Sequence, residues 1–213
     1  MKVDIKTTFY KDGYDLTIEN VKSLMRISQI ASETGDFGIA CSLNILAAEE
    51  CLKALFLIIK HYNPEHPMEK FEKIFRYHNV KHEELKGVVE MDNAIQKEND
   101  KVLASLDFFI PVFDKMKALN TELKDEDIAA LKDDYEWFKK LSEKKLNFDG
   151  IFAWLKDANN DKNKGLYVDK QDDKWITPQK TTKDKYIQDR KYTDAIFNYI
   201  SGVEDVIIRA REK

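Results

Sequence analysis

Apolar residues recur at helical spacing along most of this chain, and one stretch departs from the amphipathic pattern. From Phe37 to Ile59, within DFGIACSLNILAAEECLKALFLIIKH, nearly the whole circumference is apolar. That is the pattern of a helix buried on most sides, not of one lying on a surface. At about 100° per residue, Ser42, Glu49, Lys53 and Lys60 collect in one narrow sector, with Glu50 at its edge and Asn44 the one polar exception elsewhere. Unpaired buried charge is very costly, so the Glu49, Glu50 and Lys53 set must be paired or face a cleft. An internal ion pair from Lys53 to Glu49 at i,i+4, or to Glu50 at i,i+3, is the plain structural explanation.

The remaining elements follow from the same periodicity. Leu16, Ile18, Val21, Leu24, Met25, Ile27 and Ile30 predict a helix over about 14–33. GDFG turns the chain into the central helix, which Pro64 and Pro67 end, making an antiparallel helix hairpin. Phe71, Ile74, Phe75 and Val80 supply the next apolar face. The pattern resumes over about 94–119 with Leu103, Leu106, Phe108, Phe109 and Val112 as core positions, and Pro111 is expected to kink or break it. Thr121 or Asp125, ahead of acidic first-turn residues, predicts a helix over about 125–144. After Phe148 the chain reads as polar and loop-rich. There Leu166–Val168 and Trp175–Thr177, flanking Lys170–Asp173, predict a small hairpin. Tyr192, Ala195, Ile196, Tyr199, Ile200, Val203, Val206 and Ile207 mark a final helix over about 184–211. No internal repeat or coiled-coil heptad is present. The expectation is one all-α domain over 1–213, with a loop or β-hairpin insertion near 148–183.

Composition narrows the class. Seven Gly and four Pro in 213 residues argue against a turn-rich all-β fold. A net charge of -4 provides no global basic field for nucleic acid, which leaves a local basic cleft as the electrostatic route. Cys41 and Cys51 are about 15 Å apart along one helix and cannot bridge; reduced, inert thiols are expected. The N-terminus lacks the apolar core of a signal peptide. Glu49, Glu50 and Lys53 interrupt the most apolar window, so no membrane span is expected. The expected location is cytoplasmic.

Phosphate-binding glycine loops, zinc-type cysteine pairs and nucleophile elbows are absent from the sequence. Chemistry therefore falls to the central helix and to Arg76-Tyr77-His78-Asn79-Val80-Lys81-His82. His78 and His82, at i and i+4, lie about 40° apart on a helix, and Lys81 joins them within a turn. Imidazole acts as acid or base near neutral pH, and Arg or Lys stabilises phosphorane-like charge. This is the equipment for metal-free RNA cleavage by 2′-hydroxyl attack. Glu49 or Glu50 can orient a histidine, or pair with Lys81 or Arg76. The bland alternative makes His78 and His82 ordinary polar residues at a hairpin edge. A metal held by the two histidines with Glu50 or Glu83 lacks the Glu-x-x-His pairs of di-metal bundles, so no metal or cofactor is expected. His61 and His66 flank the Pro turn and are expected in solvent.

Three pieces together resemble a known family: Ala47-Ala48-Glu49-Glu50-Cys51-Leu52-Lys53-Ala54, then His78-Asn79-Val80-Lys81-His82, then Lys164-Gly165-Leu166-Tyr167-Val168-Asp169 followed by Trp175 and Pro178. In this order and spacing they resemble the AbiV family of bacterial abortive-infection proteins, itself similar to a branch of the HEPN superfamily. The resemblance implies an antiparallel helical bundle that dimerises and acts in phage defence on RNA or the translation machinery, as a metal-independent RNase. It implies that Arg76 and His82, with five residues between them, serve as phosphate stabiliser and acid/base, with His78 and Lys81 as an alternative working pair. Glu49, Glu50 and Lys53 would support the site. One unbroken helix would set Arg76 and His82 about 240° apart, so a helix start or kink is needed between them. A non-catalytic helical protein that blocks translation, or senses a phage protein by contact, is the rival reading.

Overall fold

In a computed structural model, described over residues 5–118, 124–143, 148–171 and 174–212, the chain forms seven α-helices among the described residues. They are α1 (Ile5–Glu33), α2 (Phe37–Tyr62), α3 (Phe71–Ile74), α4 (His78–Ala118), α5 (Asp125–Glu143), α6 (Phe148–Leu166) and α7 (Lys183–Glu212). A two-stranded antiparallel hairpin, β1 (Asp169–Gln171) and β2 (Lys174–Ile176), pairs Lys170 with Trp175, and a 3-10 turn spans Pro178–Lys180. The fold is all-α apart from that hairpin. Two compact units are distinguished, one of residues 1–88 with 147–213, the other of residues 89–146.

In the first unit α2 is the hub, as its apolar circumference requires, and α1, α6 and α7 pack around it. Val21 and Met25 of α1, Ile45, Leu52 and Ile58 of α2, Ile151 and Leu155 of α6, and Ile196 and Ile200 of α7 make the core. The tight α1–α2 turn uses Gly35 at φ 89°, a left-handed conformation that costs glycine little. Asn44, the polar exception on α2, is buried: the Ser28 hydroxyl lies 2.9 Å from its Oδ1, and Thr193 donates to its carbonyl at 3.1 Å. Cys41 and Cys51 are buried free thiols. His66 is exposed, while His61 is half-buried against the Tyr62 ring.

The stretch from Phe148 to Leu166, expected as loop, is a helix. Ile151, Trp154, Leu155 and Ala158 are all buried at i, i+3, i+4 and i+7, and covering that stripe against the core outweighs the poor helix propensity of Asn159, Asn160 and Asn163. The hairpin is present, its two three-residue strands shifted from the predicted runs.

In the second unit, α4 continues through Pro111 without ending there, and Lys132 of α5 meets Asp114 of α4 at 2.8 Å. Phe108, Phe109 and Val112, expected in a core, are instead exposed, Phe108 by 67%. Thr121 lies outside the described residues. Asp125, Glu126 and Asp127 form the acidic first turn of α5, favourable at a helix N-terminus.

Candidate functional site

Glu49, fully buried on α2, is the centre of the site. Its Oε2 lies 2.5 Å from His78 Nδ1 and 3.4 Å from Lys81 Nζ. Its Oε1 lies 3.0 Å from His82 Nε2 and 2.8 Å from Lys162 Nζ. One carboxylate thus collects two imidazoles and two ammonium groups from α4 and α6.

Local structure explains how they converge. Between α3 and α4 the chain turns over Phe75–Tyr77, with the Lys73 carbonyl accepting from both Arg76 and Tyr77. α4 then starts at His78, so a helix start separates Arg76 from His82. Starting there, His78, Lys81 and His82 share one face of the first turn. Lys162 arrives from α6 because α6 and α2 touch through small residues. A Cβ on Gly165 would lie 2.3 Å from the Gly38 carbonyl oxygen and 2.2 Å from Ser42 Oγ, closer than any side chain permits. Ser42 donates to the Lys162 carbonyl at 2.8 Å, locking the register that brings its ammonium to Glu49.

Burial pushes the Glu49 carboxyl up, but hydrogen bonds from His82 and Lys162, then the Lys162 charge and His78, outweigh it and hold it down at about 2. Burial likewise pulls the Lys81 ammonium below its ordinary value, and the Glu49 charge only partly offsets this. An ionised carboxylate only accepts hydrogen bonds. His78 must therefore carry its proton on Nδ1 and His82 on Nε2 to serve Glu49. For His78 that leaves Nε2 as the basic nitrogen of a ring whose side chain is 49% exposed. His82 is buried.

A cavity of about 610 Å³ opens at this point, lined by Leu46, Arg76, Tyr77, His78, Asn79, Asn159, Lys162, Asn163, Leu166 and Tyr167. Its volume suits a ligand-sized group, and its lining combines Arg76, Lys162 and three asparagines with leucine and tyrosine.

The predicted residues thus divide. His78, Lys81 and His82 gather on Glu49, and Arg76 and His78 line the cavity. Glu50 does not join them: it pairs with Lys53 at 2.5 Å and faces Asn20, so the internal ion pair and the histidine cluster are separate features of one helix. Lys60 serves the Pro turn, donating to the carbonyls of Pro64 and His66. Sequence reasoning missed Lys162 and the cavity asparagines of α6, although Lys162 lies four residues beyond Ala158 on the buried stripe. No group of three or more His, Cys, Asp or Glu among the described residues is arranged to hold a metal ion. No helix among them is long and apolar enough to cross a membrane.

Comparison with known proteins gives one assignment. A family model of the HEPN class, described as AbiV, matches residues 9–198. The chain belongs to the AbiV family. No curated protein and no solved structure matches it. The matched span includes every residue around Glu49 and the whole AbiV cavity wall. The helical architecture is that of the HEPN class, and the family points to abortive-infection defence. Within this AbiV chain, the Gly165-Leu166-Tyr167 segment closes α6, where Gly165 permits the α2 contact and Leu166 and Tyr167 reach the cavity.

Proposed function

We propose that this protein acts in abortive infection as a metal-independent endoribonuclease, with His78 as the acid/base. What carries the reading is the geometry of one ring. His78 is bonded through Nδ1 to a buried, ionised carboxylate, and the same residue lines a cavity together with Arg76 and Lys162.

A carboxylate behind an imidazole fixes its tautomer and stabilises the imidazolium that forms on proton uptake. In the proposed step His78 Nε2 takes the proton of a ribose 2′-hydroxyl. The 2′-oxygen bonds to the adjacent phosphorus, the P–O5′ bond breaks, and the leaving 5′-oxygen is protonated from water. A 2′,3′-cyclic phosphate and a 5′-hydroxyl result. Arg76 and Lys162 stabilise the charge on the phosphate oxygens. Lys81 and His82 hold Glu49 from behind, and the Glu50–Lys53 pair stiffens the helix that presents it. The working form we propose is a cytoplasmic homodimer, in which two copies of a small basic cleft grip one RNA backbone despite the net negative charge. Phe9, Leu16, Ile27 and Ile30, all exposed on one side of α1 by helical spacing, offer an apolar stripe for the second copy. A phage protein would supply the trigger.

The test is cleavage of total RNA and tRNA by purified protein in EDTA. His78→Ala should lower the rate about 100- to 10,000-fold while circular dichroism stays unchanged. Toxicity on overexpression that survives both His78→Ala and His82→Ala, with no cleavage by the wild type, would instead establish a protein that halts translation by contact.

A further inference from the structure

The cavity beside Glu49 has two aromatic walls that the cleavage chemistry leaves unused. Tyr77 and Tyr167 both line it, and they are 53% and 63% exposed. Neither ring is spent on the core. Both are set on firm backbone at helix ends. The Tyr77 amide donates to the Lys73 carbonyl and its carbonyl accepts from Lys81, while the Tyr167 amide donates to the Asn163 carbonyl. Tyr77 immediately precedes His78, and Tyr167 follows the last residue of α6, which also carries Lys162. Asn79, Asn159 and Asn163 line the same space, and an asparagine side chain offers both amide donors and an acceptor.

We infer that Tyr77 and Tyr167 stack an unpaired nucleobase in this cavity, so that the site takes a nucleotide splayed from a single strand and refuses one held in a duplex. This rests on the nuclease reading above and adds the form of RNA that it selects. The faces of aromatic rings bind any base by stacking, and amide side chains meet base edges. Arg76 and Lys162, which line the same cavity, suit the phosphate that follows. In an A-form duplex the faces of the bases are covered by their neighbours, and only edges, sugars and phosphates are presented. A pocket with two tyrosines then has nothing to stack.

Binding can be separated from cleavage by using a short fluorescent oligonucleotide whose 2′-hydroxyls are methylated, since it cannot supply the attacking oxygen. Anisotropy titration should show the single strand binding wild type and a matching methylated duplex binding at least about 10-fold more weakly. Tyr77→Ala and Tyr167→Ala should each weaken the single strand about 5- to 150-fold. Tyr77→Phe and Tyr167→Phe, which keep the ring face, should restore most of it. Both positions are more than half exposed, so the variants should fold as wild type by circular dichroism. Cleavage by wild type with unchanged oligonucleotide binding in both alanine variants would overturn the stacking role and leave the nuclease reading intact. Equal affinity for the duplex would overturn the single-strand selection. An absence of both binding and cleavage would sink both ideas together.

Discussion

Helix α2 buries two polar sites on different sides of one core, and they are built on opposite principles. At Asn44 the groups are neutral: the Ser28 hydroxyl meets the side-chain oxygen and Thr193 donates to the backbone carbonyl, joining α1, α2 and α7 within a sealed interior. At Glu49 the groups are charged or chargeable, come from α4 and α6, and adjoin an open cavity. Neutral hydrogen bonds hold helices together at small net gain. A buried carboxylate with four polar partners is strongly favoured as a charge once assembled, yet burying it is expensive. Such a costly arrangement is informative where it borders a cavity, because a fixed ionised carboxylate can set the tautomer of a half-exposed histidine.

Asp189 of α7 sharpens the contrast. It too is buried, but burial pushes its carboxyl up, and Lys185 at 2.7 Å does not fully compensate. Glu49 has enough partners to win against burial; Asp189 has too few. The same residue class is thus moved in opposite directions on two faces of one bundle.

The largest break in this comparison is Glu49→Ala. It leaves Lys81 and Lys162 buried without their counter-ion and should cost about 3–5 kcal/mol in urea unfolding, with cleavage lost. A loss under about 1 kcal/mol would mean that the cluster is not a coupled unit.

Acid comes next. Glu49 falls from 4.5 to about 2 on folding, so its contribution is full above pH 4.5 and is lost as pH falls towards 2. That contribution is about 3 kcal/mol. Asp189, raised on folding, has the opposite sign: its neutral form favours the fold at low pH, and that benefit fades as pH rises through its folded value. Stability of the wild type measured from pH 5 to pH 2 should fall, the loss should shrink in Glu49→Gln, and it should steepen in Asp189→Asn. An unchanged acid profile in Glu49→Gln would remove Glu49 as its source.

Gly165→Ala tests the route by which Lys162 reaches Glu49. The added methyl meets Ser42 Oγ and the Gly38 carbonyl, and overpacking of this kind costs about 1–3 kcal/mol. A thermal melt should show it, with a larger proportional loss of cleavage because Lys162 is displaced. Activity retained in a destabilised variant would mean that Lys162 is dispensable. The smallest effect is expected at the neutral site, where Asn44→Ala should cost about 1 kcal/mol and leave RNA cleavage unchanged. Lost activity there would erase the distinction between the two faces.

Much of this was legible without coordinates. The all-round apolar character of α2 announced a central helix, because only burial on every side tolerates it. The i,i+4 spacing of His78 and His82 placed both rings on one helical face, since 3.6 residues make a turn. The periodic stripes of α5 and α7 gave their bounds within a residue or two. α6 was hidden because its asparagines and its two glycines, Gly150 and Gly165, have low helix propensity, although its stripe Ile151, Trp154, Leu155, Ala158 was present. Propensity is a weak prior that tertiary packing overrides.

What the sequence by itself determined is therefore the set of elements, the hub among them and the chemical inventory near it. Backbone periodicity and local turn chemistry act over a few residues and are written into their order. Tertiary structure alone decided between Glu49 and Glu50. They are one residue and about 100° apart, and only the positions of α4 and α6 turn the first to the histidines and leave the second to Lys53. It also brought Lys162 across 113 residues to the same carboxylate, through a close helix contact that glycine permits. Such a meeting depends on how whole helices pack, which no local pattern encodes.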